Sequence, residues 1–189
     1  MRALWLATGA MALAVGPAWS QAAAPAWTID KAASRVGFRA AMSGTAFEGR
    51  FTRYDARINF DPANLKASRI SAVIDVASAS TGDATRDEAM PSSDWFAVKA
   101  HPRATFVSRA ITSAGPGRYV ATGDLTLRGV KRAVNLPFTL AINGNTAKAN
   151  ASLALDRTAF GVGQGEFKTG AMVDTKVTVT LALTARRAG

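Results

Sequence analysis

Residues 119–142 read YVATGDLTLRGVKRAVNLPFTLAI, and this stretch decides the fold. Tyr119, Ala121, Leu125 and Leu127 fall on alternate positions. After Arg128-Gly129 the alternation resumes with Val134, Leu136, Phe138, Leu140 and Ile142. Period two with one apolar face marks a strand that buries one side. Arg128-Gly129 suits a tight reversal, so the two runs predict an antiparallel hairpin. Pro137 removes a ladder donor from the second run, which predicts a strand locally at an edge or bulged.

The same rhythm extends outward in both directions. Val36, Phe38, Ala40 and Met42 share one face, with Arg35 and Arg39 among the residues opposite. Ile70, Ala72, Ile74 and Val76 repeat it, as do Val177, Val179, Leu181 and Leu183. Asp61-Pro62, Gly115-Pro116-Gly117 and Asn143-Gly144-Asn145 supply further turns. From Phe47 to Phe60 the apolar phase slips, because Phe47 and Phe51 share one parity while Tyr54, Ile58 and Phe60 share the other. That slip predicts a bulge or bend near Thr52. Thr81 to Phe96 breaks the rhythm, with Asp83, Asp87 and Glu88 set around Ala84, Ala89 and Met90. One or two short helices with polar caps are expected there.

The first twenty residues carry the features of an export signal: Arg2, an apolar run from Ala3 to Val15, and Ala18-Trp19-Ser20 before a cut at Gln21. The expected organisation is a signal peptide over 1–20, a disordered segment over 21–26 and one barrel domain over 27–187. A periplasmic location follows from the leader. Cleavage leaves 22 Lys and Arg against 13 acidic residues, scattered singly along the strands. Most are expected on a solvated face, and an exported protein with no clustered basic stripe is not expected to bind nucleic acid. Attraction to anionic headgroups would allow transient contact with a membrane surface. With no cysteine, disulfides, thiolate catalysis and thiolate metal sites are excluded.

Motifs along nearly the whole exported chain resemble those of the YceI-like, lipocalin-like polyisoprenoid-binding proteins. They begin with Trp27, Ile29, Asp30, Ser34, Val36 and Phe38, and continue through Gly49, Phe51 and Phe60-Asp61-Pro62. Ser78, Thr81-Gly82, Arg86-Asp87, Asp94-Trp95-Phe96, Pro102 and Ala104-Thr105-Phe106 follow. Gly123-Asp124-Leu125-Thr126-Leu127-Arg128-Gly129-Val130, Arg157, Phe160-Gly161, Val173-Asp174, Val177 and Val179 complete the set. The resemblance implies an all-β, extended eight-stranded antiparallel barrel with a short helical insertion. It also implies a periplasmic carrier whose interior holds an isoprenoid chain, such as an isoprenoid quinone or prenyl phosphate, with no other cofactor. Ala33 and Met42 stand where many members carry histidine, so any polar or metal role of those histidines is absent here.

An eight-stranded barrel is near the size at which the interior either fills with side chains or holds one small ligand. Ala40, Ala72, Ala121 and Gly123 are small inward positions that favour a cavity once the resemblance is weighed. The expected apolar wall is Phe38, Ala40, Met42, Phe51, Ile74, Trp95, Phe96, Phe106, Leu125, Phe138 and Phe160. Arg128, Lys131 and Arg132, in one turn, are candidates to meet an anionic headgroup. The protein is expected to act as a monomer or homodimer.

Other readings are a structural or stress-related barrel without a dedicated ligand, a hydrolase and an outer-membrane barrel. His101 is the single histidine, and no serine stands in a nucleophile elbow, so nothing completes a triad or a metal cluster. Asp83 and Asp87 share a helical face, which is more often a solvated acidic surface than a cation site. Arg103, Arg109, Arg186 and Arg187 leave no continuous lipid-facing band.

Overall fold

The alternating segments become eleven strands of one antiparallel sheet in a computed structural model that describes residues 23–188. The expected signal peptide lies outside the described residues. The strands are β1 (Ala26–Ile29), β2 (Arg35–Met42), β3 (Thr45–Phe51), β4 (Tyr54–Asn59), β5 (Arg69–Asp75) and β6 (Ala79–Ser80). After helix α1 (Ala84–Ala89) come β7 (Arg103–Ser113), β8 (Arg118–Leu127), β9 (Val130–Asn143), β10 (Thr146–Asp156) and β11 (Lys176–Arg187). β1 pairs with β4 on one side and β11 on the other, which closes the sheet.

Eleven strands make eight staves because three staves are interrupted. β1 and β2 follow one another along β11, β3 and β4 along β2 and β1, and β5 and β6 along β4 and β3. Each interruption leaves backbone groups without a ladder partner, and buried serines replace the missing bonds. Between β1 and β2, the Ser34 hydroxyl accepts from Thr184 N (2.9 Å) and donates to Thr184 O (3.2 Å). At Thr52-Arg53, where the phase slip predicted a bulge or bend, the stave breaks outright, and Ser78 Oγ accepts from Arg53 N at 3.0 Å. Opposite the bulge of β7, Ser108 Oγ accepts from Ile70 N at 2.8 Å.

The barrel starts earlier than residue 27. Ala24 is buried, its carbonyl accepts from Asn59 Nδ2, and Ala26 already pairs with Asn59. Of the segment 21–26 expected to be disordered, residues 21 and 22 lie outside the described residues, and the backbone from Ala24 to Ala26 closes over the end of β4.

One pole is solid. There the Trp27 indole donates to Phe60 O at 2.9 Å, and the Phe60 ring meets Tyr119 at 5.1 Å and Phe138 at 6.1 Å. Ile111, Ala121, Ala147 and Ala185 fill the space between these rings. The opposite pole carries the β2–β3 turn at Ser43-Gly44, α1, the β8–β9 turn at Arg128-Gly129 and the long connection from Asp156 to Lys176. Ser43 and Gly44, like Arg128 and Gly129, both take positive φ, the backbone that a two-residue hairpin requires.

Pro137 sits where β9 loses a neighbour. β9 pairs with β8 from Val130 to Thr139, but with β10 only from Asn143 to Phe138. Leu140 N donates toward β8, to Gly117 O, so by alternation the odd positions of β9 face β10. Pro137 is odd and has no N–H to give, and the ladder ends beside it. Toward the open pole, β9 and β10 separate into a seam crossed by the 157–160 turn, where Arg132 Nε donates to Ala159 O at 3.1 Å.

Candidate functional site

A cavity of about 690 Å³ occupies the barrel from the solid pole to the open one. Inward residues of β2, β5, β7, β8, β9, β10 and β11 build its wall, which is almost wholly apolar. All eleven residues expected to form the wall line it, from Phe38, Ala40 and Met42 through Phe51, Ile74, Trp95, Phe96, Phe106, Leu125 and Phe138 to Phe160. The rings of Phe38 and Phe51 lie 5.4 Å apart, and Phe51 and Phe96 6.2 Å.

The small inward residues divide. Ala40 and Ala72 line the cavity, whereas Ala121 is fully buried in the solid pole. Gly123 is filled by neighbours, since a Cβ there would strike Val107 O and the Phe106 ring. Half of the expected empty space is thus occupied, because a bulge in β7 and large aromatic neighbours close over those positions.

Polar groups gather at the mouth. Asp83 caps α1 by accepting from Arg86 N at 3.0 Å. Arg86 pairs with Asp83 at 3.5 Å, donates to Thr81 Oγ1 and lies over the Phe47 ring at 4.7 Å. Asp87 accepts from Thr81 N, Thr81 Oγ1 and Ser80 Oγ, and these bonds hold its carboxyl at about 2, well below the usual range. The network pins α1 across the open end.

Arg157 is the cation that the residue reading missed. It is buried, lines the cavity and donates to the carbonyls of Val162, Phe167, Val173 and Asp174 at 2.7–2.9 Å. No carboxylate pairs with it among the described residues, and desolvation draws its pKa down. Its position after the strand residue Asp156, within a resemblance motif, was the available signal.

The three cations expected near a headgroup do not line the cavity. Arg128 turns outward to donate to Gly161 O and Ser93 O, Arg132 binds Ala159 O, and Lys131 is exposed. Arg86 and Arg157 occupy the mouth instead. His101 lies outside the cavity, against Gly129, beside Asp75 and Arg103. Among the described residues no three acidic or histidine side chains converge on a metal position. No helix is long and apolar enough to cross a membrane among the described residues.

Residues 27–185 match the family model described as the YceI-like domain. The chain belongs to the YceI-like family. A UPF0312 protein of Pseudomonas putida strain W619 is 33% identical over 183 residues, covering 92% of this chain and 93% of the relative. One from Ectopseudomonas mendocina is 38% identical over 117 residues, and the match spans 61% of that relative's length. Among solved structures, Burkholderia cenocepacia BcnA superposes with a TM-score of 0.80 at 37% identity, covering 82% of this YceI-like chain and 98% of BcnA. A polyisoprenoid binding domain from Saccharophagus degradans superposes with a TM-score of 0.66 at 15% identity, covering 87% and 99%, which shows a shared fold. YceI-like architecture thus accounts for the closed eight-stave barrel and for the one short α-helix among the described residues.

Proposed function

We propose that this YceI-like barrel is an exported, periplasmic binding protein that carries one long apolar lipid, a polyisoprenoid, in its interior without catalysing a reaction. The carrying observation is the cavity: about 690 Å³, walled by apolar side chains, plugged at one pole and polar only at the mouth. That volume falls in the usual range for small-molecule sites. A five-carbon prenyl unit contributes about 3–4 kcal/mol of gross burial at ~0.8 kcal/mol per CH₂. A few units therefore exceed the cost of association.

The tail would enter toward Ala72 and Phe106, leaving a headgroup beside Arg86 and Arg157. The resemblance of the fold to a polyisoprenoid binding domain supports the ligand class. The charge of Arg157, in no ion pair among the described residues, favours a polar or anionic head, as in a prenyl phosphate or quinone.

Extraction of the purified protein with organic solvent, followed by mass spectrometry, identifies what it carries. Ala40→Trp then tests the location. The expected variant melts near the parent temperature when both are delipidated, and yields no extractable lipid. A parent protein that yields none, together with a sharp loss of stability in the variant, overturns the carrier reading.

A further inference from the structure

Six of the cations that look scattered along the chain come together at the solid pole. Lys66 and Arg69 flank the turn into β5, Arg118 opens β8, Lys148 follows the start of β10, and Arg186 and Arg187 end β11. Strand pairing sets them around one rim: Arg69 opposite Asn59, Arg186 opposite Thr28 and Thr146, and Arg187 opposite Trp27. All six are exposed, and none is in an ion pair among the described residues. Asp61 is the one acid in the turns of this rim among the described residues, whereas at the mouth Asp83, Asp87, Glu88, Asp94, Asp156 and Glu166 stand among Arg86, Lys99, Lys131, Lys168 and Lys176 and largely offset them. The barrel is therefore polarised along its axis, with a basic rim on the plugged end.

We propose that this basic rim is a docking surface for an anionic lipid bilayer, holding the barrel with its mouth turned away from that membrane. Six cations distributed around a rim, rather than paired with acids, suit a diffuse sheet of negative headgroups. Nucleic acid fits less well. The aromatic rings here are buried or half-buried in the plug, Trp27 and Phe60 among them, which leaves none free to stack on bases. The proposal stands whatever the cavity holds.

Flotation with vesicles provides the test, using phosphatidylcholine alone and phosphatidylcholine containing phosphatidylglycerol. A rim variant combines Lys66→Ser, Arg118→Ser, Lys148→Ser and Arg186→Ser. A control with the same loss of charge combines Lys99→Ser, Lys131→Ser, Lys168→Ser and Lys176→Ser near the mouth. Each cation is worth about fivefold in membrane affinity, so the rim variant should lose roughly 100-fold or more while the control stays near the parent. Binding by the parent should need the anionic lipid and vanish in high salt.

Orientation is read in the parent protein through Met42 and Met172, 40% and 38% exposed near the mouth. Peroxide should oxidise both at the same rate whether or not vesicles are present. The proposal is overturned if the parent ignores anionic vesicles, if both variants lose binding equally, or if vesicles protect the two methionines. It is equally overturned if the rim change abolishes binding to duplex DNA but not to vesicles.

Discussion

The guanidinium of Arg157 lies over the Trp95 ring, 5.4 Å from its centroid, and both side chains line the cavity. Trp95 also meets Phe167 at 5.0 Å, so one buried cation ties an aromatic pair to the backbone of the long 157–174 connection. The wall of the open pole is built around this contact.

Arg157→Met should therefore destabilise the barrel more than any exposed arginine change. Four carbonyls lose their donor, and each buried group left unpaired costs about 1–3 kcal/mol. A loss of about 3 kcal/mol or more is expected by denaturant unfolding. Arg157→Lys should recover only part of it, because an ammonium cannot fork to carbonyls on several sides.

The two halves of the interior should respond oppositely to added volume. Ala121 is fully buried among the rings of the plug, so Ala121→Leu should overpack and cost about 1–3 kcal/mol. Ala72 faces the cavity, and Ala72→Leu should leave the melting temperature of lipid-free protein within a degree or two, about the shift expected of a change below 0.5 kcal/mol. Equal losses at both positions would mean that the cavity is closed in solution.

Acid should loosen the mouth before it unfolds the barrel. The Asp87 carboxyl titrates at about 2 in the folded protein against an ordinary 3.8, so its bonds to Thr81 and Ser80 support the fold above about pH 4. That support is lost progressively as pH falls through about 2. The Thr81 amide resonance should shift across this window, and in Asp87→Asn the pH dependence should disappear.

Restoring a donor at the seam should extend the ladder. Pro137→Thr supplies an N–H on the side that faces β10, where pairing now stops. Amide exchange at Asn135, Ser152 and Ala154 should slow relative to the parent, and release of a fluorescent prenyl probe should slow with it if chains pass through the seam. Unchanged exchange would place the cause of the separation in the 157–160 turn instead.

Much of this architecture is legible from side-chain alternation. Val134 to Ile142 and Val36 to Met42 announce half-buried strands, Arg128-Gly129 a hairpin, and Pro137 an edge, which the separation from β10 supplies. Asp83 and its neighbours announced a helix start, and one helix of six residues forms there. The serines that stitch the ladder were not legible as such, since Ser34 and Ser78 carry no local mark of the strand gaps they repair, nor Ser108 of the bulge it bridges.

What the sequence determined by itself is which residues face inward, because a strand's period of two assigns every side chain to a face without reference to its partners. What lies inside was decided only by the closed barrel. Ala72 and Ala121 have the same size and the same inward parity, yet one borders a cavity and the other a solid plug. The difference is which residues stand at the same height on the other staves, and only pairing and closure set that. The same closure gathers Lys66, Arg118, Lys148 and Arg186, far apart in the chain, onto one rim, and brings Arg157 against the face of Trp95. Local periodicity reports direction, while distance across the barrel is a property of the whole sheet.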